Sequence, residues 1–107
     1  MMPPDIASMV QVNLRFGRDR ARKLGELAED MGVPRRVIEQ SIESLRKDGV
    51  PVCTAGDGAW LALEADEVRA CADRLNRRLR SQYLTVRALR ATARRMAGVR
   101  QTELWAS

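Results

Sequence analysis

There is no histidine in this chain of 107 residues, and its two cysteines, Cys53 and Cys71, have no CxxC spacing. Zinc fingers, histidine-ligated metals and Ser-His or Cys-His catalysis are thereby closed, and a pair of buried thiols is the expected state of the cysteines. Aromatic residues make up only 4% of the chain, so its core must be aliphatic. No apolar run approaches the roughly 20 residues that span a bilayer, and Met1-Met2-Pro3-Pro4-Asp5 lacks the basic start and apolar stretch of a signal peptide. A cytoplasmic protein with no metal, no cofactor and no membrane partner is expected. No convergent carboxylate, nucleophile or phosphate-loop motif appears, which argues against an enzyme.

Acidic residues are missing from one long stretch. Arg74, Arg77, Arg78, Arg80, Arg87, Arg90, Arg94, Arg95 and Arg100 follow one another with no Asp or Glu between them. Removing those nine from the 19 basic residues leaves ten against 14 acidic ones, so the rest of the chain carries about −4 of a formal total of +5. The positive field belongs to the C-terminal segment.

Glycine and proline are missing from nearly the same stretch, Ala65 to Ala97, and Glu64, Asp66 and Glu67 stand where a helix N-terminus favours negative charge. One long helix is predicted there. At about 1.5 Å per residue it runs on the order of 48 Å, against about 25–30 Å for a body built from the preceding residues. Val68, Ala72, Leu75, Leu79, Gln82, Val86, Leu89, Ala93 and Met96 alternate steps of four and three, the spacing of a coiled-coil seam. The positions from Leu75 to Met96 predict a homodimer joined through this helix, while the first half of the stripe also suits packing on the chain's own body. Gln82, with Tyr83 and Leu84 beside it, interrupts a clean zipper.

Glycine and proline punctuate the first 63 residues. Pro3-Pro4 and Asp5 predict the opening of a first helix, with Ile6, Met9, Val10 and Leu14 on its apolar face and Gly17 as its stop. After the charged loop Arg18-Asp19-Arg20, a second helix carries Leu24, Leu27, Ala28 and Met31 and ends at Gly32. Pro34 suits the first turn of a third helix, where its missing N–H has no intrahelical partner. That helix runs to Asp48 and buries Ile38, Ile42 and Leu45. Gly49 closes it. Val50 to Cys53 then reads as a strand, Thr54-Ala55-Gly56-Asp57-Gly58 as a tight turn and Ala59 to Leu63 as a second strand, with Pro51 suggesting an edge position.

The stretch LGELAEDMGVPRRVIEQSIESLRKDGVPV resembles the winged helix-turn-helix of the DeoR and biotin-repressor type, and GVPVCTAGDGAWLAL resembles the wing that follows it. A small residue in the first motif helix, Ala28, lets the second cross closely, and Gly32 provides the turn. The whole arrangement is similar to small phage-encoded winged-helix proteins. The fold implied is mainly α with a small β-hairpin: residues 1–63 form the winged domain, with the helix-turn-helix over about 22–48 and the wing over about 50–63. Residues 64–107 form a long basic C-terminal helix with a short tail.

The resemblance implies double-stranded DNA as partner, with the second motif helix in the major groove, in a phage or bacterial regulator of transcription or replication. By position Pro34, Arg35, Arg36, Glu39 and Gln40 lie nearest the bases: Arg35 or Arg36 donating to guanine, Gln40 pairing with adenine, Glu39 accepting from cytosine N4. Ser44, Arg46 and Lys47 suit phosphates or solvent. Two features weigh against DNA and suit a winged helix adapted to grip a protein, the alternative being a phage-encoded inhibitor or adaptor whose winged helix and basic helix hold an acidic host protein. The wing turn holds no Lys or Arg, and Glu39 and Glu43 put negative charge on the reading helix. The C-terminal arginines read as a phosphate-binding arm, a surface for an acidic partner or the solvated outside of a dimer coil, and the absence of acidic residues from Arg74 through Arg100, which forgoes intrahelical salt bridges, favours the first two.

Overall fold

The computed structural model describes residues 5–106 and falls into two units, Met1–Ala72 and Asp73–Ser107. Pro3-Pro4 lie outside the described residues. In the first unit α1 spans Ile6–Asn13, α2 Leu24–Met31, α3 Arg35–Lys47, β1 Val52–Ala55 and β2 Gly58–Leu61; α4 begins at Ala65 in this unit and runs to Ala106. The structure is thus mostly helical, with one antiparallel hairpin and a long C-terminal helix.

Asp5 caps α1, its side chain accepting from the Ala7 N–H. Val10 and Leu14 are buried, but Ile6 and Met9 are each 41% exposed, so the expected four-residue stripe is only half used. The helix also stops at Asn13 rather than at Gly17. The cause is a competing set of backbone hydrogen bonds. Leu61 N–H donates to Arg15 O at 2.8 Å and Gly17 N–H donates to Leu61 O at 3.0 Å, which draws the chain after Leu14 into an extended path beside β2.

A single 3₁₀ turn, Arg18–Arg20, follows, and Arg22 then exchanges two hydrogen bonds with Ala59 at 2.9 and 2.8 Å. β2 is therefore the inner strand and β1 the edge that Pro51 suggests. This arrangement fixes Gly58: its φ is +119°, and an added Cβ would lie 2.2 Å from Arg22 O. No other residue fits without moving a paired backbone.

α2 ends as its sequence predicts. Gly32 takes a left-handed conformation, φ 65°, and Val33 N–H donates back to Ala28 O at 3.1 Å. Pro34 caps α3, and Ile38, Ser41, Ile42 and Leu45 at helical spacing form its buried face. The Ser41 hydroxyl donates to Val37 O at 2.7 Å, so this buried polar group is satisfied. Val10, Leu14, Leu27, Ala28, Ile38, Ile42, Leu45, Val52, Ala59 and Leu61 make one aliphatic core.

In the hairpin Val52 pairs with Leu61, Cys53 with Trp60, Thr54 with Ala59 and Ala55 with Gly58. The turn is only Gly56-Asp57, so Thr54 and Ala55 belong to the strand rather than to the five-residue turn expected. Small residues give no alternation from which to read the strand's end; the ladder sets it.

Cys53 and Cys71 are free and buried. The Cys53 thiol donates to Glu67 O in the opening turns of α4 at 3.6 Å. Burial, then the neighbouring Cys71 thiol, pushes the Cys53 thiol up to about 11. α4 also continues past Ala97 and through Gly98 to Ala106, because one glycine weakens a helix without stopping it.

Candidate functional site

The face of α3 opposite its core contacts is open along its whole length. Pro34, Arg35, Arg36, Glu39, Gln40, Ser44 and Lys47 are all exposed, while Ile38, Ser41, Ile42 and Leu45 face inward. The same periodicity that buries one stripe lifts the other into solvent. Two of its cations are occupied by intrahelical ion pairs. Arg35 Nε lies 3.5 Å from Glu39 Oε1, and Lys47 Nζ lies 3.2 Å from Glu43 Oε1. Arg36 and Gln40 have no ion pair or side-chain hydrogen bond among the described residues. They are the most available charged and amide groups on this face.

Arg46 does not join that face. It is half-buried; its Nε donates to Val52 O at 2.8 Å and its Nη2 to Thr54 Oγ1 at 2.9 Å. The same Nη2 lies 3.5 Å from Cys71 Sγ. The guanidinium ties α3 to β1 and to the opening of α4, so the expectation that it serves a phosphate or solvent is corrected. A helix of this amphipathicity points its twelfth residue sideways, and the strand beside it supplies the acceptors.

The hairpin turn lacks a cation in sequence but has one in space. Arg18 Nε lies 2.7 Å from Asp57 Oδ2, and the Arg18 guanidinium carbon is 5.3 Å from the centroid of the Trp60 ring. Sequence alone places Arg18 in a charged loop, and nothing local reveals a partner 39 residues away. Trp60 itself is 2% exposed, and its indole N–H finds no acceptor among the described residues. A cleft of about 600 Å³ runs between the hairpin and the helices, lined in part by Lys23, Gly25, Glu29, Arg35, Thr54 and Gly56. It places Arg35 and the hairpin turn on one concavity.

In the second unit Arg77, Arg78, Arg80, Arg87, Arg90, Arg94, Arg95 and Arg100 are exposed, and Arg74 is half-buried. Arg95 Nη2 donates to Thr92 Oγ1 at 3.1 Å, and Arg77 Nε donates to Asp73 O at 3.5 Å. Of the seam, Leu75 is half-buried; Leu79, Gln82, Val86, Leu89, Ala93 and Met96 are exposed, Leu79 and Leu89 each by 64%. Tyr83, Leu84 and Val99 add further exposed apolar surface.

Among the described residues no three acidic or cysteine side chains gather as a metal site, and no helix is long and apolar enough to cross a membrane. Comparison with protein-family models, with curated proteins and with solved structures finds no match to this chain.

Proposed function

We propose that the first unit is a winged helix-turn-helix, with α2, the Gly32 turn and α3 as the motif and β1–β2 as the wing, and that the chain binds double-stranded DNA sequence-specifically. The observation that carries this reading is the open outer face of α3, which displays Arg35, Arg36, Glu39 and Gln40 near its N-terminus. Arg36 is the leading reader of guanine O6 and N7, because Arg35 is drawn to Glu39. Gln40 suits adenine, Glu39 suits cytosine N4, and Ser44 and Lys47 suit the backbone. The arginines of α4 add sequence-independent affinity.

The exposed seam from Leu79 to Met96 supports a homodimer, in which two reading heads meet two half-sites. Such a protein regulates transcription or replication in a phage or bacterial setting, in the cytoplasm, without catalysis. A titration of fluorescent duplex with the full chain tests the reading. Binding that weakens steeply with salt is expected, and Arg36→Ala should cost about 1–3 kcal/mol and relax base preference. No binding even at low salt refutes it.

A second reading is a protein-interaction module whose basic α4 holds an acidic host protein; it gains from Glu39 and Glu43, which offset Arg35 and Lys47 on the α3 face that would approach DNA and so weigh against a phosphate partner there. Retention of a partner after nuclease treatment supports it; loss of all bound material supports DNA.

A further inference from the structure

We infer that Arg18 is the phosphate-contacting cation of the hairpin, supplied from outside it and held in check by Asp57; this rests on the DNA-binding reading. The hairpin turn has no Lys or Arg of its own. The hydrogen bonds of Gly17 to Leu61 and of Arg22 to Ala59 bring the 18–20 turn against β2 and put the Arg18 guanidinium at the turn. That placement comes from the sheet, not from loop sequence.

A guanidinium carries five N–H donors. Asp57 takes the Nε donor, and the two Nη groups of Arg18 have no acceptor among the described residues. The side chain is 54% exposed and Asp57 is 56% exposed, so the pair is a solvent-screened contact that holds the arginine without locking it. The Trp60 ring beside it restricts the guanidinium before any ligand arrives, which lowers the ordering cost of binding. A DNA phosphate offers paired oxygens and a full charge, matching the donor fork better than one carboxylate oxygen. Phosphate binding therefore shares or displaces the Asp57 contact. Arg35 lines the same concavity as Gly56, the residue before Asp57.

Two opposite effects are expected. Removing Arg18 removes one phosphate contact, and removing the Asp57 charge frees one. The test is the salt dependence of binding to a random-sequence duplex, measured with the full chain as wild type, Arg18→Gln, Asp57→Asn and the loop control Arg20→Gln. Asparagine followed by glycine suits a hairpin turn as well as aspartate does, so Asp57→Asn remains informative if Arg18→Gln folds poorly. Arg18→Gln should lower the slope of log affinity against log salt by about 0.9. Asp57→Asn should tighten binding several-fold, and Arg20→Gln should leave the slope nearly unchanged. A wild-type chain that binds with a slope indifferent to Arg18→Gln, or an Asp57→Asn chain that binds no more tightly, overturns this assignment alone. A wild-type chain that binds no duplex at low salt overturns the DNA reading and the assignment with it.

Discussion

Replacing Arg46 with Met keeps an unbranched side chain of similar reach and removes every donor. Two hydrogen bonds to oxygen from a charged group are lost, to Val52 O and to Thr54 Oγ1, along with the weaker one to Cys71 Sγ. Such bonds contribute about 1.5–3 kcal/mol each. Arg46 is itself half-buried rather than sealed from solvent, so the lower end applies and the pair is worth about 3 kcal/mol. For a unit of this size about 4–8 °C per kcal/mol is expected, which puts the fall in Tm at about 12–24 °C. Urea unfolding followed by Trp60 fluorescence, in a Trp105→Phe background, reads the change in the hairpin that Arg46 anchors. A shifted midpoint with an unchanged m-value is the expected signature. A loss under about 1 kcal/mol, beside a salt slope for duplex binding that falls by about 0.9, would refute the reasoning and return Arg46 to the phosphate face.

Three further outcomes follow from the same geometry. Ile38 is fully buried in the aliphatic core, so Ile38→Ala should cost about 2–5 kcal/mol in a urea titration, whereas Gln40→Ala on the opposite face should change stability by less than about 0.5 kcal/mol. The Cys53 thiol ionises near 9.0 when unfolded and is pushed up to about 11 in the fold, so the folded state holds its proton longer. Its contribution is complete below pH 9 and is lost as pH rises towards 11; pH-dependent melts of wild type should show that decline, and Cys53→Ala should lack it. Leu89→Glu places a charge in the exposed seam of α4 and should shift sedimentation equilibrium towards monomer while leaving the melt of the first unit unchanged.

What was legible in the sequence was local. Leu24, Leu27 and Ala28, then Gly32, then Pro34 and the Ile38-Ile42-Leu45 spacing each carry their meaning within a few residues, and α2, its turn and α3 fall where they predict. The outer face of α3 was legible for the same reason, since burying one stripe of a helix fixes the other. The errors lie where distant backbone decides. Gly17 looks like a helix stop, but Leu61 captures the preceding residues. Thr54 and Ala55 look like turn residues, and pairing with Ala59 and Gly58 makes them strand. Arg46 and Arg18 carry no local mark of their roles: one meets a strand edge six residues on, the other a carboxylate across the fold. A charged side chain near a helix end or in a loop reads as solvated until its neighbour is placed.

Whether the outer face of α3 reads base edges decides the rest. Selection of bound sequences from a pool of random double-stranded oligonucleotides tests it most directly, run in parallel with wild type and Arg36→Ala. Wild type should enrich a defined motif, arranged as two half-sites, and Arg36→Ala should lose preference at one position of each half-site. A wild-type pool that stays random after repeated rounds at low salt, or a motif indifferent to Arg36→Ala, Arg35→Ala and Gln40→Ala, would contradict it.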